Sequence, residues 1–86
     1  MKFDLDKMNN ANPDAVAQAA IQVIDRVQDG RPEVQVLGLG AAYLAFCRCV
    51  GVEPAEAFRA ATNMVATKHR DNHGFRTLGL YVENEL

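Results

Sequence analysis

The sequence predicts an all-α fold, specifically a compact three-helix domain with a central apolar helix and a short C-terminal strand or helix. Two observations carry this. Three segments open on a proline (Pro13, Pro32, Pro54) and close on a glycine (Gly30, Gly51, Gly74), the asymmetry expected of helices, because proline suits the first turn and glycine suits the left-handed residue after the last. Between these marks, apolar residues recur at three- and four-residue spacing. The chain of 86 residues is read as one domain, residues 1–86, since no linker, repeat or low-complexity run divides it.

Met1 to Ala11 is expected to be an N-terminal arm, with "KFDLD" at Lys2 to Asp6 alternating as a short strand would. The first helix is expected at about 13–29. Asn12 is a good N-cap, Asp14 meets the positive helix end, and Gly30 supplies the left-handed stop. Val16, Ala20, Val23, Ile24 and Val27 form its inward stripe. The second helix, about 33–50, contains "VLGLGAAYLAFC", Val36 to Cys47, with no charged side chain. Apolar on all sides, it should be the buried centre of the domain. The third, about 54–70, places Ala57, Phe58, Ala61, Met64 and Val65 inward and Lys68, His69 and Arg70 at its negative end. Residues 75–86 fit either structure: Leu78, Leu80 and Val82 share a strand face, while Phe75, Leu78, Val82 and Leu86 share a helical one weakened by Gly79.

A domain this small buries a modest fraction of its surface, so oligomerisation is the expected supplement. Gly38, Gly40 and Ala42 are read as a helix-packing or dimer interface. Each glycine costs a helix up to about 1 kcal/mol relative to alanine, a loss that close approach of another backbone would restore. If the C-terminus is a strand, Leu78, Leu80 and Val82 must pair with another element or subunit.

Other readings of the glycine stretch fit less well. The uncharged run between Glu33 and Arg48 falls short of the roughly 20 residues needed to span a membrane. "VQVLGLGAAY" parses as a strand and Gly-x-Gly turn, but Tyr43 occupies the third small position of a dinucleotide-binding fingerprint and no return strand follows. A phosphate-binding loop of the Walker type lacks its Gly-Lys-Ser/Thr. No cofactor is expected.

No catalytic residue and no metal ligand is assigned. Cys47 and Cys49, two apart on a helix, point about 200° from each other and cannot share an ion. His69 and His73 are four apart, but Asn72 and Gly74 suggest that the helix ends between them. "HRDN", His69 to Asn72, matches a kinase catalytic loop only out of context. Serine is absent, which removes serine nucleophiles. The two cysteines are read as reduced thiols of a cytoplasmic protein, with no secretory or lipidation signal.

Charge offers the remaining functional hint. The formal net charge of -2 argues against nucleic-acid binding by bulk electrostatics. Arg59, Lys68, Arg70 and Arg76 nonetheless face only Asp71 between positions 59 and 76, with His69 and His73 adding to the cluster. Arg59, Lys68, His69, Arg70 and Arg76 are therefore candidate contacts for an anion or a partner. With the second and third helices they resemble a DNA-binding helix-turn-helix, although Glu53 and Glu56 stand where base-reading residues belong. The expected function is a non-enzymatic protein-interaction module, a small accessory or regulatory protein that forms a homo-oligomer and binds a partner protein. The alternative is a nucleic-acid-binding regulator. In size and in lacking a catalytic constellation the chain resembles, in a general way only, accessory proteins encoded by bacteriophages.

Overall fold

Asp4 starts the first helix of this computed structural model, which describes residues 3–68 and 71–85. Its carboxylate accepts from the amides of Asp6 and Lys7 at 2.9 and 3.2 Å, and α1 runs Leu5–Asn9. The alternation read as a strand arm is thus overruled by a local N-cap, which satisfies amides that a lone strand would leave to water.

The helix α2, Pro13–Val27, is capped by Asn12, whose side-chain oxygen accepts from Asp14 and Ala15 at 2.8 and 3.3 Å. It ends two residues before the expected position. Gly30 is not its left-handed stop, because Gly51 is the one glycine with positive φ among the described residues. Gln35 from the next helix does that work: its amide donates to the carbonyls of Val27 and Gln28 at 2.8 and 3.3 Å, satisfying acceptors that the helix end leaves open.

Next comes α3, Pro32–Val50, closed by Gly51 at φ 81° with the Gly51 and Val52 amides both returning to the Cys47 carbonyl. A short turn leads to α4, Pro54–Lys68. The last element, α5, is His73–Glu85. The strand reading of Leu78, Leu80 and Val82 is therefore corrected to helix, and the expected three helices become five, with no strand among the described residues. Asn72 decides it locally by capping Phe75 N–H at 3.0 Å. Burial decides it globally, since Phe75 is inside and Leu78 and Tyr81 follow it half-buried at three-residue steps.

The helices pair as α2 with α5, α3 with α4, and α1 on α4. The Asn72 amide donates to Asp14 at 3.0 Å where both helices begin, and Tyr81 donates to Asp25 at 2.5 Å towards their ends, so α2 and α5 run parallel. They come close at Ala17 and Gly74, where a β-carbon added to the glycine would lie 3.0 Å from that of Ala17. A second small core lies at the α3–α4 turn, where Cys47, Val50 and Val52 pack with Phe3, Tyr43 and Ala57. Tyr43 donates to the Pro54 carbonyl at 2.6 Å and meets the Phe58 ring edge-on at 6.4 Å.

The molecule measures 36 × 30 × 17 Å. At that thickness no more than two layers of helix, each about 10–12 Å across with side chains, fit. Only Cys47 and Val50 of α3 are buried, so it is not the shielded centre that its composition suggested. On α2 the expected inward stripe is present, with Val16, Ala20, Ile24 and Val27 half-buried; Val23 is instead half exposed, and Ala17 is the fully buried residue. The α4 stripe is rotated. On α4, Ala57, Ala60 and Met64 face inward, and Phe58, Ala61 and Val65 face out.

Candidate protein-interaction face

Along α3, burial follows one narrow line: Gln35, Leu39, Tyr43, Cys47 and Val50, at steps of four, four, four and three. This line caps α2 at one end and fills the turn core at the other. Every other residue of α3 is exposed, and from Val34 to Cys47 none is charged. Leu37 is 74% exposed, Val36 68%, Phe46 65% and Val34 62%. At 100° per residue, Val34, Leu37, Ala41 and Leu44 point away from the buried line, and their spacing of three, four and three is that of a helix-packing seam. On α4, Phe58, Ala61 and Val65 repeat the spacing on the outside and line a shallow apolar depression with Thr62 and Ala66. Phe58 also meets Tyr43, on the buried line of α3, so its ring edges the α3–α4 contact while the seam of α3 faces away from it.

Gly38, Gly40 and Ala42 lie on the exposed side of α3, and a β-carbon added at either glycine would meet no atom within 4 Å. The expectation that another helix of the same chain presses on them is therefore overturned: within one chain that space is open. Leu78, Leu80 and Val82 lie on α5, whose packing partner is α2; Leu78 is half-buried, and Leu80 and Val82 are exposed. Of the basic residues, Arg59 is exposed on α4 and Arg76 on α5. Lys68 ends α4, and His69 and Arg70 lie outside the described residues. The histidine pair thus lies partly outside them as well, while His73 is the exposed first residue of α5.

Cys47 is buried and Cys49 exposed, as their angular separation requires. Burial raises the Tyr43 phenol above its ordinary pKa, and its hydrogen bond with Cys47 and the charge a thiolate there would carry push the same way. Both groups belong to the turn core and are positioned for packing. A separate cleft between α1 and α4, lined by Met8, Asn10, Pro13, Asn63 and Met64 among others, carries no titratable side chain.

By length and composition α3 could cross a membrane. The uncharged residues 34–47, however, make about 21 Å of helix at 1.5 Å per residue, against a hydrocarbon thickness of about 30 Å. Compared with protein-family models, curated proteins and solved structures, the chain finds no match.

The sequence missed the seam of Val34, Leu37, Ala41 and Leu44 because the whole helix is apolar, so no face stood out. Its three-four-three spacing was the available signal.

Proposed function

We propose that the protein is a non-enzymatic interaction module, a small cytoplasmic accessory or regulatory protein that works as a homo-oligomer and binds a partner protein. The observation that carries this reading is the exposure of α3 from Val34 to Phe46. Large contiguous apolar surfaces on folded chains mark sites covered by another molecule. Each of Val34, Leu37 and Leu44, if covered, would contribute on the order of 1.5–3 kcal/mol. The packing of α3 on α4 and the Gln35 hydrogen bonds to the end of α2 hold that surface in place.

The test is a charge placed on the face. Leu37→Glu and Leu44→Glu should leave helicity by circular dichroism unchanged while abolishing self-association in sedimentation and capture of the partner protein. A nucleic-acid-binding regulator behaves otherwise. It would bind DNA or RNA with steep salt dependence, lose that binding on Arg59→Glu with Arg76→Glu, and be indifferent to Leu37→Glu; that pattern would overturn the proposal.

A further inference from the structure

We infer that the exposed face of α3 is occupied by α3 of a second copy of this chain, the two helices antiparallel about a two-fold axis beside Gly40 and Ala41. This rests on the proposed reading and names the occupant of the same face.

Area is the first support. The chain exposes 6686 Å², whereas a monomeric protein of its mass exposes about 5,000 Å². The excess of about 1,700 Å² is roughly twice what each partner contributes to a standard interface and lies within the range of permanent homodimers. Self-complementarity is the second. Glu33 and Arg48 are exposed at opposite ends of α3, and their midpoint falls between Gly40 and Ala41. An antiparallel copy centred there sets Glu33 of each chain beside Arg48 of the other, twice, which is the isologous pattern a two-fold axis imposes. A parallel copy would set like charge beside like.

The side chains suit the same arrangement. Leu37 and Leu44 flank the centre at nearly equal distances, so each copy places leucines beside the leucines of the other. At the centre, where two crossing helices come closest, stand the smallest residues of the helix, Gly38, Gly40, Ala41 and Ala42. Gly38 and Gly40, two apart, flank the seam on opposite sides, where the absence of side chains lets the second helix settle close over Ala41.

Single cysteines test the geometry on the full chain, in a Cys49→Ala background that removes the exposed native thiol. Ala41→Cys should cross-link to its own copy with a short bifunctional maleimide. Val34→Cys should not, because an antiparallel pair holds the two positions about 20 Å apart along the axis. Arg48→Glu should weaken the dimer about tenfold, and adding Glu33→Arg should restore it. Self-cross-linking of Val34→Cys as efficient as that of Ala41→Cys, or a dimer in sedimentation that neither cysteine traps, overturns the antiparallel α3 pair and leaves the interaction module standing. A chain that stays monomeric at every concentration, with partner capture untouched by Leu37→Glu, overturns both.

Discussion

Replacing Gly74 by alanine probes the joint on which the α2–α5 pair depends. The new methyl would stand 3.0 Å from the Ala17 β-carbon, 3.1 Å from the Asn72 side-chain oxygen and 3.2 Å from an Asp14 carboxylate oxygen. Carbon atoms are at ease about 3.5–4.0 Å apart, and Ala17 has no torsion with which to yield. Overpacking of this kind costs about 1–3 kcal/mol. Alanine returns part of its helical advantage of up to about 1 kcal/mol, reduced because Gly74 lies in the first turn. The net expectation is a loss of about 1 kcal/mol, which lowers the melting temperature of a domain this size by roughly 4–8 °C. Ala17→Gly alone should also destabilise, through helix propensity and lost burial, by about 1–2 kcal/mol. Combined, the two changes restore the gap, so their joint cost should fall short of the sum by about 1 kcal/mol. Thermal melts of the four proteins at one fixed concentration measure this directly. A rise in melting temperature for Gly74→Ala, or additivity within about 0.5 kcal/mol, would refute the close crossing.

Three further outcomes follow from the same geometry. In a Leu37→Glu background, Gly38→Ala with Gly40→Ala should raise the melting temperature, by up to about 2 kcal/mol of helix propensity, since neither methyl meets an atom; a fall would mean that a neighbour within the chain was already there. Gln35→Ala should cost about 0.5–1.5 kcal/mol in urea unfolding, because the Gln28 carbonyl loses its side-chain donor and the Val27 carbonyl keeps only the Gly30 amide, and no change would show that water replaces it freely. Tyr43→Phe should lose about 1 kcal/mol with its hydrogen bond to Pro54 and flatten the alkaline decline of stability. The folded chain holds the phenolic proton more tightly than the unfolded one, so that contribution is complete below the unfolded tyrosine pKa of about 10 and disappears as pH rises through the higher folded value. An alkaline unfolding profile identical in the two proteins would exclude Tyr43 as its source.

Much of the scaffold was legible from residues alone. Asn12, Pro13, Pro32, Gly51 and Pro54 mark helix ends through backbone chemistry that acts within a few residues, and the structure places each of them at a helix end. Gly30 misled because a distant side chain, Gln35, supplied what a left-handed glycine usually supplies. The C-terminal segment was ambiguous because Gly79 weakens a helix and Leu78, Leu80 and Val82 alternate. The contacts that resolve it, with Ala17 and Asp25, come from more than 50 positions away. The exposed face was misread for a different reason. An apolar surface states that something must cover it, but composition does not distinguish cover by the same chain from cover by another. Phe58, Ala61 and Val65 were placed inward on that assumption, whereas Ala60 joins the expected Ala57 and Met64 against the fold.

The parallel pairing of α2 and α5 also governs the order in which the polypeptide matures. Contacts between neighbouring segments, such as those at the α3–α4 turn, can form as soon as their residues leave the ribosome, whereas Ala17 must wait for a segment made almost 60 residues later. Throughout that interval the nascent chain carries α2 without its mate, and the pair can close only after the α5 segment has emerged.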